Sequence, residues 1–143
     1  MSVTEGLAQR LAALGLLTFD ATGTTGDTFI EIAPPQTPDQ AVTLTVTGGV
    51  ESDSKLPYDE PIVQVRVRGA ASGDPRSSRD RATKIRAALH GLSDVTLPDG
   101  TYLTLAVAVQ PAPQSIGQDD THRYEHVFDL RCEILNATDN RPI

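Results

Sequence analysis

The residues best suited to chemistry in this 143-residue chain lie in two short stretches. The first is Gly69-Ala70-Ala71-Ser72-Gly73, which follows an alternating run and precedes a helical one. A nucleophile elbow would occupy that position, but it needs G-x-S-x-G to hold the serine on a strained corner. Here the serine is displaced by one position. A phosphate cradle would use the same turn and the amides of the next helix. The turn lacks both the Gly-Lys-Ser/Thr ending of a P-loop and G-x-G-x-x-G, so it reads as a connector.

The second stretch holds Asp119, Asp120, His122, Glu125 and His126. On a strand, His122 and His126 share a face but lie about 13 Å apart, too far for one tetrahedral metal. Polar residues at a strand end account for them. His90, near a helix C-terminus, reads as a favourable cation. The single Cys132 excludes an internal disulfide and a cysteine-based zinc site. No catalytic, cofactor-binding or metal-binding residue is therefore assigned, and the chain is not expected to be an enzyme.

The elements that would position these residues follow from periodicity. Val3, Leu7, Leu11 and Leu14 recur at helical spacing, with Thr4 or Ser2 as cap and Gly15 as terminator. Thr28–Ile32 and Val42–Thr47 alternate as strands. In Pro61–Arg68, Val63, Val65 and Val67 share one face, and Gln64, Arg66 and Arg68 the other. Ala82, Ile85, Leu89 and Leu92 form a helical stripe, with Pro75 in the first turn and Asp74 or Ser77 as cap. Leu97-Pro98-Asp99-Gly100 is a turn. It leads to a strand carrying Leu103, Leu105, Val107 and Val109. The last strand, His122–Leu135, puts Tyr124, Phe128, Leu130, Cys132 and Ile134 on one face and Arg123, Glu125, Asp129, Arg131 and Glu133 on the other.

Gly48–Glu60 reads as an acidic loop, or as an arm toward a neighbouring subunit with Val50, Leu56 and Tyr58 as contacts. Pro111–Asp120 reads as a second loop. Residues 136–143 read as a flexible tail. The expected architecture is a single α+β two-layer domain of order α-β-β-β-α-β-β. Its five-stranded sheet, mostly antiparallel or mixed, packs against two helices on one face.

Composition narrows the function. A net charge of −7 argues against a nucleic-acid binder. No run of 18 apolar residues is present, so no membrane span is expected, and the N-terminus lacks a signal-peptide pattern. Aromatics make up 4% of the chain, with no Trp, which suits a domain that completes its burial with neighbours.

The order of elements resembles the tail terminator (minor tail, or minor capsid) proteins of long-tailed bacteriophages. The resemblance rests on the helix ending LGLL, the strand PIVQVRVRG, and the helix RDRATKIRAALHGL. The final pair, running to VAVQPAP and then through GQDDTHRYEHVFDLRCEI, adds to it. It implies a structural virion protein at the head-proximal end of the tail, assembled in the host cytoplasm. Such a protein forms a homo-oligomeric ring, commonly a hexamer, that stops tube polymerisation and meets a head–tail connector while DNA passes unbound through the lumen. On that resemblance, Arg66, Arg68, Arg79 and Arg81 pair with acidic residues of a neighbour. Glu51, Asp53, Asp59 and Glu60 sit on an arm contacting the tube or lumen, and Asp119 and Asp120 mark a lumen or connector loop. Charge reversal at Arg66 and Arg68 together is expected to spare the fold and impair assembly. The competing readings are a head-completion, neck or tail tube protein, or, from another class, a small enzyme or ligand-binding domain.

Overall fold

The computed structural model describes residues Ser2–Pro142. Its elements are α1 (Val3–Ala13), β1 (Thr28–Ile30), β2 (Ala41–Gly49), β3 (Tyr58–Asp59), β4 (Pro61–Arg68), α2 (Pro75–Leu89), β5 (Ser93–Thr96), β6 (Tyr102–Ala108), β7 (Gln114–Gln118) and β8 (Tyr124–Leu135). The α+β class and the two helices agree with the sequence reading. The strands number eight rather than five, and the three additions have physical reasons. β3 continues the line of β4 along one side of β8, interrupted at Glu60. β7 continues the line of β6 along the other side, interrupted by Val109–Pro113. All five residues of β7 are exposed, so no apolar alternation betrayed it inside the expected Pro111–Asp120 loop. β5 is short and mostly exposed.

The sheet runs β1-β2-β4-β8-β6-β5. All the pairings are antiparallel except β1 with β2. β8 is the axis, flanked on both sides along its twelve residues. It begins at Tyr124 rather than His122, because His122 takes a positive φ of 64° in the preceding turn.

Alternation puts Val42, Leu44, Val63, Val65, Val67, Phe128, Leu130 and Cys132 on one face, all fully buried. Leu7 and Leu11 of α1 and Ala82, Ile85 and Leu89 of α2 cover them. Both helices therefore lie on one side, and the other face of the sheet carries no helix.

The helix ends are set as the sequence suggests. Gly15, at φ 77°, sends its N–H to Ala12 O while Leu16 N–H reaches Leu11 O, the paired bonds of a Schellman stop. Ser2 occupies the N-cap of α1 without a capping side-chain bond; its own N–H goes to Asp99 Oδ2 at 2.8 Å. Gly6 permits this contact, since a Cβ there would collide with the Asp99 carboxylate. That close approach offsets the cost of glycine in a helix, about 1 kcal/mol against alanine. Asp74 caps α2 by accepting from Arg76 N–H, with Pro75 at the first helical position.

The tail expected to be loose is tied down. Arg141 pairs with both carboxylate oxygens of Asp59 and donates to the carbonyls of Asp53, Leu56 and Tyr58.

Candidate functional site

The uncovered face of the sheet, with the loops at its two ends, holds most of the residues singled out from the sequence. It carries Gln64 and Arg66 of β4 and Glu125, Val127, Asp129, Arg131 and Glu133 of β8, beside Leu105 and Val107 of β6. Cross-strand pairing consumes much of its charge.

Three of the four arginines expected to reach a neighbour are engaged within their own subunit. Arg66 forms a two-pronged pair with Glu125, at 3.1 and 2.7 Å. Arg68 is only 5% exposed and donates to the carbonyls of Pro35, Pro38 and Asp39. Arg81 pairs with Asp27 at 2.6 Å. Among the described residues, Arg79 pairs only with Asp80, its exposed chain neighbour. The double reversal at Arg66 and Arg68 is therefore no surface probe, because a glutamate at 68 would face three carbonyls in a buried position.

The acidic group divides in the same way. Glu51 is exposed and makes no ion pair among the described residues. Asp53 accepts from the N–H groups of Lys55 and Leu56, which shapes the arm. The bonds from Arg141, then those from Asn136, hold the Asp59 carboxyl well below the usual carboxylate range despite some burial. Glu60 takes Tyr58 Oη–H and Arg131. The Tyr58 hydroxyl lies 2.8 Å from Glu60 and 2.6 Å from Glu133, which folds Tyr58 onto its own subunit; burial, then these bonds, raises the phenol. Asp120 is exposed.

Asp119 belongs to a cluster that sequence reasoning missed. Arg123, expected on the solvated face, is 2% exposed. It donates to Asp119 Oδ2 at 2.8 Å and to the carbonyl and side-chain oxygens of Gln36 at 2.7 and 2.9 Å. Burial alone would raise the Asp119 carboxyl, but the N–H groups of Arg123 and Thr121 and both side chains bring it down to about 2. Arg68 and Arg123 together pin the loop 31–40 across the end of the uncovered face, and Ile32 near its start is 60% exposed. The available signal was two arginines at the ends of neighbouring strands facing a run of three prolines.

The histidines do not form a metal site. Among the described residues, no group of three or more His, Cys, Asp or Glu could hold an ion. His90 Nδ1 accepts the Ala108 N–H at 2.9 Å, which ties the end of α2 to β6. His126, 5% exposed, shares a 2.7 Å bond with the fully buried Ser78. Burial, then the charge of Arg79, keeps its ring below the ordinary value of 6.5. A depressed histidine favours folding above the unfolded pKa and loses that contribution as pH falls below it. Urea midpoints should therefore drop between pH 7.5 and 5.5, and His126→Gln should flatten that slope. An unchanged slope in the variant would remove His126 as its cause. Burial pushes the Cys132 thiol up to about 12, which makes it an inert core residue.

With this geometry in place, comparison with known proteins decides the family. A family model described as bacteriophage tail terminator protein matches residues 10–136. The chain belongs to the bacteriophage tail terminator family. No curated protein matches it. Among solved structures, a chain of the virion of the native gene transfer agent particle shares the fold, with a TM-score of 0.59 and 14% identity. The match covers 94% of this chain and 96% of that one. This terminator is accordingly a structural protein of the phage tail, and among its described residues no helix is long and apolar enough to cross a membrane.

Proposed function

We propose that this terminator assembles as a homo-oligomeric ring, of six copies on the family's pattern, at the head-proximal end of the tail tube. There it stops tube polymerisation and presents a surface to the head–tail connector. The observation that carries this reading is the family match over residues 10–136. The subunit's form supports it. One whole face of the sheet lacks a covering layer, and the loops at both ends expose Ile32, Val50 and Leu56 at 60%, 62% and 62%. The likeness to a chain of a virion particle supports a place in such an assembly. The net charge of −7 suits a channel through which DNA slides, since like charge repels phosphates.

The test is tail assembly with and without the protein. Its omission should give tubes of uncontrolled length that fail to join heads, and added protein should restore a single length. Unchanged tube lengths and unchanged head joining on omission would end the terminator reading.

A further inference from the structure

Positive charge is concentrated on α2. Five of the chain's twelve basic residues, Arg76, Arg79, Arg81, Lys84 and Arg86, fall within eleven positions of it. Arg76, Arg79 and Lys84 are exposed there, on a protein of net charge −7. Beside them runs a groove of about 650 Å³ between the end of α1, the turn after β4 and the start of α2. Leu16, Ala70, Arg76, Arg81 and Lys84 line it together with Asp74 and Asp80; Arg76 is paired with Asp74 and Arg81 with Asp27, so Lys84 is the lining cation that makes no ion pair among the described residues.

The arm 50–60 has the complementary character. Its Asp59 and Glu60 are taken up by Arg141 and Arg131, which leaves Glu51 as an exposed acid without an ion pair among the described residues, and it leaves Val50 and Leu56 each 62% exposed. It is also held in shape, by Asp53 capping the turn at Lys55 and Leu56 and by Arg141 clasping four of its residues. A preformed arm loses less conformational entropy on docking.

The placement of the two features excludes a contact within one subunit. The arm joins Gly49 to Pro61 at one end of the β2–β4 ladder, where these residues pair. The groove contains Gln40 and Ala70, which flank the opposite end of the same ladder. The eight residues of β4 separate them by roughly 25 Å. Two different, complementary patches at opposite ends make a head-to-tail contact, the kind that closes into rings when the rotation permits.

We infer that the groove beside α2 receives the 50–60 arm of a second copy. Val50 and Leu56 seat against Leu16 and Ala70, and Glu51 meets the ammonium of Lys84. This contact rests on the ring reading above and specifies how neighbouring copies would meet.

The test is a charge swap between exposed positions, Lys84→Glu, Glu51→Lys and the double variant, followed by sedimentation velocity over a concentration series. Thermal melts should match wild type, since both side chains are in solvent. Each single variant should weaken self-association roughly tenfold, and the double variant should regain most of it, because close charge pairs couple across interfaces. Arg141→Ala, which unfastens the arm without touching the groove, should also weaken assembly. Singles that assemble like wild type, or a double variant no better than they are, would overturn the contact while leaving rings and tube capping intact. Wild-type protein that stays monomeric throughout would overturn it whatever the tube assay shows. Loss of duplex DNA binding by Lys84→Glu with unchanged self-association would make the groove a phosphate site, and would overturn it too.

Discussion

Replacing Phe128 with alanine is expected to destabilise the protein by about 3–5 kcal/mol, the usual cost of emptying a buried aromatic site. The chain has three phenylalanines, and Phe128 is the fully buried one. It lies midway along β8, opposite Val65 of β4, where the central strand meets α2. The facing Val65 has a short, branched side chain that cannot swing in to fill the space. Against a typical total of 5–15 kcal/mol for a domain, the loss is about a fifth or more of the stability. Urea denaturation should show an earlier midpoint with an unchanged slope. Phe128→Leu, which keeps most of the volume, should retain much of the difference. A Phe128→Ala midpoint within ~1 kcal/mol of wild type would mean that the core closes around the gap and that the β8 axis is less critical than its position suggests.

What the sequence disclosed tracks how strongly burial imprints a period. The valines at 63, 65 and 67 and the stripe Ala82–Ile85–Leu89 announce a strand and a helix, because each buries one face and leaves the other wet. β7, reading Gln-Ser-Ile-Gly-Gln, buries neither face; its pairing with β8 satisfies backbone groups without recruiting apolar side chains. β3 is two residues long and is a strand only because β8 extends past β4. Such segments take their structure from a neighbour rather than from their own pattern.

The site was legible in its parts and opaque in its pairings. Alternation correctly put Arg66 and Glu125 on the face away from the helices. Their bond, across 59 positions of sequence, depends on a register that no local pattern reveals. Arg68 and Arg123 went astray for a different reason. Pro34, Pro35 and Pro38 mark where a strand must stop, but not where the chain goes next. It folds back over the sheet end and buries two arginines that alternation alone would leave in water.

Arg123→Ala tests that buried arrangement, and its effect should rank second only to the loss of Phe128. The guanidinium is 2% exposed and donates to Asp119, to both oxygens of Gln36 and, at 3.2 Å, to Asp39. Whether such a cluster stabilises more than an apolar replacement of the same shape is a separate question. Deleting one partner, however, strands the others, typically at 3–5 kcal/mol. The lower end, about 3 kcal/mol, applies here, because Asp39 is 55% exposed and water can reach its carboxylate. A fall in melting temperature on the order of 10 °C should follow. Hydrogen exchange should quicken at loop 31–40 and at 119–122 while α2 stays protected, a local signature that a general loss of stability would not give. The sign with pH is also fixed. Asp119 is held at about 2 against an ordinary 3.8, so its contribution is present above 3.8 and fades as pH falls through 2. The variant keeps the N–H groups of Arg123 and Thr121 on Asp119, so only the guanidinium's share of the gap should persist from pH 7 to 4 and narrow in stronger acid. Equal melting temperatures and unchanged exchange in both loops would show that the proline loop holds its place without Arg123.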